Sequence, residues 1–591
     1  MWENKHWKNT SADILLFGLR ETIIGDGKMK RIWIILWLLL AAAGNVAFAE
    51  QIIYVDADAN GLNDGTGWID AYKYLQDALA DANSSTKPIE IRVAQGTYRP
   101  DEDTLHPGGT GNRESTFHLI NGVTIKGGYA GFGQPDPNAR DTVLYQTILS
   151  GDIGKLLVKS DNSYHIFYHP KGLNLDDTAI LDGFTITGGN ATNAGSVHDS
   201  GGGMFNDESS PNVNNCNFSG NSAVYGGGMF NYETNPNVNN CTFNKNSAVW
   251  VGGGMFNYVH SSPKVNNCTF SENSSYDGGG MYNNYYSSPK VEGCTFNGNS
   301  AESGGGMLNW DSSPTVKGCT FIGNSAVAGG GMGNSESSPT VTNCTFTFNS
   351  ADWGGGMGNG DSSPTINNCT FTGNSADWDG GGMGNRESSP IIANCTFSGN
   401  FAKEHGGGIY NYRYSSPTVS NCILWADVPS EISSDVSPIV TYSNVQGGWP
   451  GEGNLNKDPC FAYPNNGDYH LKSQAGRWNP NSKSWVKDNV TSPCIDAGDF
   501  NSDWTAELWP HGKRINIGAY GGTPEASLSL RDDVGNPADL NNDDTANLRD
   551  FSNFADEWQN KQFLLPEDLD RDGIVDCNDL SILADNWLEE R

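Results

Sequence analysis

Residues 201–222 read GGGMFNDESSPNVNNCNFSGNS, and residues 226–247 read GGGMFNYETNPNVNNCTFNKNS. The second stretch is the first again with a few letters changed, and from Gly201 to Trp425 the phrase occurs nine times. Its cysteines fall at 216, 241, 268, 294, 319, 344, 369, 395 and 422, each five residues after a proline, from Pro211 to Pro417. Eight of the ten methionines hold one slot, from Met204 to Met383, and Ile409 fills it in the ninth copy. Length varies only between Met and Pro and between Cys and the next Met. Those two places are loops, and the segments between them are fixed. A period near 25 residues with no ten-residue helical pattern describes stacked β-coils rather than helical repeats.

Within a coil, Cys and the Phe two residues later share one face of a strand. Met is constant, as a residue filling one interior slot must be. Its neighbour drifts from Phe205, Phe230, Phe256 and Tyr282 through Leu308 to Gly333, Gly358 and Gly384, which places that neighbour outward, toward solvent. The residue before Cys is Asn in seven copies and Gly in two (Gly293, Gly318). Those two residues share tolerance of the left-handed backbone region, so a bend belongs there, and stacked Asn bends could bond coil to coil. Nine coils at about 4.8 Å make a rod section about 40 Å long. In-register neighbours point the same way, nine is odd, and no histidine accompanies the column. The nine cysteines are therefore read as small apolar filler rather than disulfides or zinc ligands.

The whole chain has 591 residues, too many for one compact core. Its formal charge is 35 − 68 = −33. That excludes nucleic acid and anionic lipid as electrostatic partners and suits cations. Lys30 and Arg31, the apolar run Ile32 to Ala43 and Ala47-Phe48-Ala49 have the order of a signal peptide, residues 29–49, cleaved after Ala49. Residues 1–28 before Met29 read as an extension from a misplaced start, the rivals being a long leading region or an uncleaved anchor. The expectation is a secreted or cell-surface protein with no membrane span after processing.

The nine-copy pattern resembles the right-handed parallel β-helix of the pectin-lyase-like superfamily. Its GGGM and NCTF phrases are similar to the repeats of chlamydial polymorphic outer-membrane proteins. The resemblance implies a mainly β fold and leaves activity open, because that fold carries lyases, hydrolases, adhesins and inert stalks. Residues 50–200 are expected to hold an N-terminal cap and irregular coils. A strand at Ile52 to Val55, helical spacing from Ala71 to Ala82 and a strand at Ile89 to Ala94 make up the cap. Residues 426–523, with SPCIDAGD from Ser492 and IGAY from Ile517, resemble the end region of secreted β-helix proteins: last coils plus a cap. Residues 524–537 read as a polar linker. Cys460 and Cys494 leave the column, and in an oxidising compartment they are either a disulfide or two free thiols.

Residues 538–591 carry the sharpest chemical signal. Asp568, Asp570, Asp572, Asp576 and Asp579 occupy positions 1, 3, 5, 9 and 12 of a loop with Gly573 at 6, and Ile574 offers a carbonyl at 7. Calcium needs six or seven hard oxygens around a tight turn, which this spacing supplies. A copy 29 residues earlier has Asp539, Asn541, Asp543, Thr545, Asn547 and Asp550, with Asp544 in place of the glycine, and should bind more weakly. Phe551, Phe554, Ala555 and Trp558 recur as Leu580, Leu583, Ala584 and Trp587 on the helices that follow. Two such loop–helix units resemble a type I dockerin. That resemblance implies calcium binding and docking to a cohesin module in a polysaccharide-degrading context. Positions 10 and 11, used by the family for cohesin contact, hold Leu548-Arg549 and Cys577-Asn578 rather than the usual Ser-Thr.

Two aromatic columns are candidates for stacking on sugar rings or on each other: Phe205, Phe230, Phe256 and Tyr282 beside Met, and Tyr225, Trp250, Tyr276, Trp353 and Trp378 before the glycines. No Walker loop, HExxH or GxSxG motif is present. Asp152, Asp182 and His165 in the irregular coils are the candidates for a catalytic site, each with an ordinary structural role as its alternative. Three functions follow: a docked, non-catalytic rod binding polysaccharide or a cell surface; a polysaccharide lyase or glycosidase; and an adhesin-like surface protein.

Overall fold

The computed structural model describes residues 51–155, 158–195 and 198–587. The signal-peptide reading of residues 29–49 and the extension before it lie outside these residues. The chain winds into a parallel β-solenoid whose three long sheets hold 14, 13 and 11 strands. Strand pairs of the nine copies in the three long sheets are in register, so like residues stack: Val213 on Val238, Phe218 on Phe243, Met204 on Met229. The nine-copy section sits inside a longer stack that begins at Gln51–Val55 and ends at Asn444–Val445.

The interior follows from the alternation. Val, Cys, Phe and Met of every copy are buried in one continuous core. Phe218, Phe243, Phe270, Phe296, Phe321, Phe346, Phe371 and Phe397 form a single stack with centroids 4.6–4.8 Å apart and rings within 6° of parallel. The column cysteines are free thiols, and from Cys241 onward each accepts the backbone N–H of the preceding Cys, as Cys319 does from Cys294 at 3.4 Å. The residue before Cys has positive φ in every copy, from Asn394 at 50° to Gly293 and Gly318 at 62°. The bend reading holds.

The asparagine ladder runs elsewhere. At the bends the amides find varied partners rather than one another: Asp182 of the preceding coil for Asn215, Asn367 for Asn394 and Ser502 of the cap for Asn421. Two other columns bond coil to coil. One is the Asn of GGGMxN, from Asn206 to Asn411, each amide donating to the next at 2.8–2.9 Å. The other is the Asn of GNS, from Asn221 to Asn400. There each backbone N–H and Nδ2 donate to the next Oδ1, and Nδ2 also donates to a Phe carbonyl. Both columns point into the coil, where water cannot substitute, so regular amide pairing is the one way to keep these groups satisfied. The first ladder starts on buried His169, whose Nδ1 meets Asn206 Oδ1 at 2.8 Å while its Nε2 accepts from the Leu119 N–H. Burial lowers the pKa of this imidazole to about 3, which keeps the ring neutral for that dual role. The second ends on buried Asp427, whose carboxyl accepts from Asn400 and has its pKa raised by burial and by Glu431 beside it.

At the N-terminal end, helix α1 (Leu75–Ser84) buries Leu75, Ala78, Leu79 and Ala82 over the first coil. At the other end, residues 461–529 do more than close the rod. They fold back along its flank, with Asn368 Nδ2 donating to the carbonyls of Ala519 and Gly521, and the Ala519 N–H donating to Thr396 Oγ1. The stretch read as a linker is also packed: Ala526, Ser527, Leu528 and Ser529 are buried, and the Leu528 N–H bonds Gly476 O. Cys460 and Cys494 are free thiols, the second fully buried and accepting from Asn444 Nδ2 at 3.1 Å, so the disulfide alternative is not adopted. No helix among the described residues is long and apolar enough to cross a membrane.

The cap holds a titration of its own. Glu507 Oε1 accepts from the Asn516 and Gly522 N–H groups, both at 2.8 Å, and burial pushes its carboxyl up to about 8. A carboxyl with a raised folded pKa adds stability in full below its unfolded value and loses it as pH rises through the folded value. Glu507→Gln keeps the acceptor and cannot ionise. It should melt with the wild type at about pH 4 and above it at about pH 9. Equal melting at both would show that Glu507 does not titrate in that window.

Candidate functional site

A trough runs along one side of the rod, built from three columns. The first is the residue before GGG: Tyr225, Val251, Asp277, Ser303, Ala328 and Trp353, in register coil to coil. The floor is the residue after Met: Phe230, Phe256, Tyr282, Leu308, Gly333 and Gly358. The far wall lies two residues further along each strand: Tyr232, Tyr258, Asn284, Trp310, Ser335 and Gly360. Two stretches are open, about 510 Å³ over the early coils and about 220 Å³ over the next.

The floor corrects the outward reading. These residues do point away from the core, but the segment before GGG folds over them, so Phe230, Phe256, Tyr282 and Leu308 are only 3–7% exposed. Phe205 and Tyr225 pack partly buried against them. Where the floor becomes glycine, Trp353 takes the space. A Cβ at Gly384 would come within 2.7 Å of its ring, and one at Gly358 within 2.9 Å. Drift from Phe to Gly is thus a change in what covers the strand rather than freedom in solvent. Trp250, Tyr276 and Trp378 stand outside the trough and are exposed, with Trp250 edge-on to Tyr276 at 6.0 Å. Tyr232, Tyr258, Tyr285 and Trp310 were missed by the sequence reading. Tyr232 lies two residues after Phe230, hence on the same strand face, which is the signal that could have found it.

The three catalytic candidates are not brought together. Asp152 follows a strand of the 13-stranded sheet, Asp182 ends one of the 14-stranded sheet, and His165 precedes one of the 11-stranded sheet. Asp182 is tied to Arg140 at 3.1 Å and to Asn215 at 2.8 Å. His165 is buried with its nitrogens on Gly201 O and His198 Nδ1, and burial pushes its pKa down to about 4. A group not singled out from sequence stands near the far end of the trough. Carboxylate oxygens of Asp379 and Glu404 and a His405 ring nitrogen lie within 4.8 Å of one another, and Asp379 pairs with Trp353 in the first column.

In the tail, helices α2 (Leu548–Asp556) and α3 (Cys577–Asp585) begin 29 residues apart, each with a capping box, Asn547/Asp550 and Asp576/Asp579. The loops before them match bond for bond. Asp568 accepts from the N–H groups of Asp572 and Gly573, as Asp539 does from Asp543 and Asp544. Asp579 accepts from Asp570 and Asp576, as Asp550 does from Asn541 and Asn547. Asp568, Asp570 and Asp572 bring carboxylate oxygens within 4.8 Å of one another, within reach of one cation. Burial pushes Asp568 up to about 6, with Asp579 and Asp570 adding like charge, a cost that a bound cation would relieve. Position 6 has φ of 91° at Gly573 and 73° at Asp544, so at that position the first loop holds a side chain in left-handed backbone where the second has glycine. Position 4 of each loop faces the cap: Arg571 donates to Trp509 O, and Asn542 Nδ2 donates to Thr505 O.

Against known families, residues 274–377 match the right-handed β-helix region, residues 394–412 the Chlamydia polymorphic membrane protein repeat, and residues 439–498 the disaggregatase-related family. Residues 274–377 are therefore a right-handed β-helix region, and residues 394–412 are similar to one chlamydial-type repeat. No curated protein matches it. Among solved structures, it is similar to the pectate lyase Pel9A, at 11% identity over 80% of this chain and 96% of that one, with a TM-score of 0.34. It is also similar to the A-module of the mannuronan C-5 epimerase AlgE6 of Azotobacter vinelandii, at 13% identity over 65% and 93%, with a TM-score of 0.29. A third is PfbA, a surface adhesin of Streptococcus pneumoniae, at 9% identity over 64% and 90%, with a TM-score of 0.26.

Proposed function

We propose that this is a secreted β-helix protein that holds polysaccharide, free or on a cell surface, in its aromatic trough and is anchored through a calcium-loaded, dockerin-like tail. The trough carries the reading. Its rings are presented in a row, fixed by strand register, and offer flat apolar faces beside hydroxyl and amide groups. Sugar rings need that combination. Tyr285 and Trp310 line it from exposed positions, so their removal tests binding without opening the core. The double variant Tyr285→Ala/Trp310→Ala should weaken polymer retention about tenfold at unchanged melting temperature. Unchanged retention would remove the trough from the reading.

In the tail, Asp568, Asp570, Asp572, Ile574, Asp576 and Asp579 would hold one calcium ion, and Asp539, Asn541, Asp543, Thr545, Asn547 and Asp550 a second. The ions would lock the two loops ahead of their helices. Leu548, Arg549, Cys577 and Asn578 are exposed there and available to a cohesin-like partner. Replacing Asp544 by Gly removes a side chain from left-handed backbone, a cost of about 1–2 kcal/mol. Asp544→Gly should therefore bind calcium at the first loop at least fivefold more tightly by calorimetry.

A second reading, glycoside hydrolysis, has one observation in its favour: the Asp379 and Glu404 carboxylates near the trough's end. A pair of carboxyl groups is what acid and base steps at a glycosidic bond require. Reducing-end release that vanishes in Asp379→Asn and Glu404→Gln would establish it.

A further inference from the structure

We infer that the polymer held in the trough is neutral and lies parallel to the rod axis, and that polyuronates are excluded. The inference rests on the proposed glycan-binding role of the trough and concerns which glycan that role admits.

Direction comes from register. The wall and floor columns are continuous from coil to coil, so the trough's long axis is the rod axis. Six successive floor positions, Phe230 to Gly358, span about 24 Å at one coil per 4.8 Å. The covering segments lie on one side of the floor, so the open face between the two walls follows the rod axis as far as Trp353, which packs over Gly358.

Charge class comes from the lining. Among the described residues, the open stretches are lined by two carboxylates, Asp199 and Asp277, and by no Lys, Arg or His. A polyuronate carries one negative charge per sugar and would lose hydration there with no cation to replace it. Calcium could bridge a sugar carboxylate to a protein carboxylate, but it would need several oxygens at one point. Asp277 stands three coil steps, about 14 Å, along the column from Ser200, the neighbour of Asp199, so each lining carboxylate acts alone. The chain's charge of −33 repels polyanions at longer range. What remains is rings and uncharged polar groups, suited to hexose or pentose faces and hydroxyls.

Affinity electrophoresis of the full chain, with calcium present, tests this. The gels carry xylan, glucomannan or mixed-linkage glucan on one side and polygalacturonate or alginate on the other. The expected result is retardation by at least one neutral polymer, at least tenfold stronger than by either polyuronate and lost in Tyr285→Ala/Trp310→Ala. Neutral oligosaccharides should bind more tightly with length until they fill the trough, then no further. Asp277→Lys should bring polyuronate retardation up while the neutral polymer is still held. Retardation by polyuronate alone, lost in the double variant, would overturn the charge inference and leave the glycan-binding role standing. No retardation by any polymer would overturn both.

Discussion

Asn324→Ala is expected to destabilise the rod by about 3–6 kcal/mol, more than any surface substitution in the same coil. The side chain is fully buried. Its Oδ1 accepts from both the backbone N–H and the Nδ2 of Asn299, and its Nδ2 donates to Phe296 O and Asn349 Oδ1. Removing the amide strips four bonds and leaves the Asn299 N–H and the Phe296 carbonyl in a dry interior. Each such orphan costs about 1–3 kcal/mol, and the vacated space adds a cavity term. Chemical denaturation monitored by circular dichroism measures the loss. The control is Asn343→Gly, at a bend with φ of 54°, where glycine already serves in the equivalent places of two other coils. It should change stability by less than about 0.5 kcal/mol. Equal effects from the two would mean that the ladder contributes nothing beyond the turn.

Calcium removal is the second large effect. Asp579 is fully buried and sits where one carboxylate both closes the loop and caps α3, through Asp570 N–H and Asp576 N–H. Asp579→Ala should abolish the tighter calorimetric site, lowering affinity at least a hundredfold, and loosen α3 even without calcium. Asp568→Ala should abolish the same site but leave the capping box of α3 intact. In both, the first loop should still titrate weakly. Chelation of the wild type should lower the melting temperature of the tail and spare the solenoid, whose three long sheets use no residue of the loops. A tail indifferent to chelator and calcium alike would defeat the metal assignment.

The coil was legible in the sequence because its rules are local. Period two put Cys and Phe on one face, invariance put Met inside, and the Asn-or-Gly alternation marked the left-handed bend. The ladders were not legible in the same way. Each coil offers Asn at several columns, and only the closed coil reveals which of them face inward. Phe230 and Gly358 show a second limit. Both sit at an outward position, and both are covered by residues that arrive from the loop before GGG, which alternation along one strand cannot report. The tail was clear in its spacing because a repeated loop–helix unit is a local pattern. Its seat on the cap was not, because Arg571 to Trp509 joins residues with no shared periodicity. The trough was half legible: its rings were found as columns, but the sequence could not say which rings share a groove.

The parallel Phe stack, with neighbouring rings within 6° along its whole length, means that every interior coil makes the same core contacts above and below. Such a coil is interchangeable with its neighbours. Adding or deleting one 25-residue copy by recombination would leave no mismatched seam and would change the rod by one step of about 4.8 Å. Length is therefore a heritable dial, adjustable one notch at a time. The reach of the protein can evolve without redesign of the core.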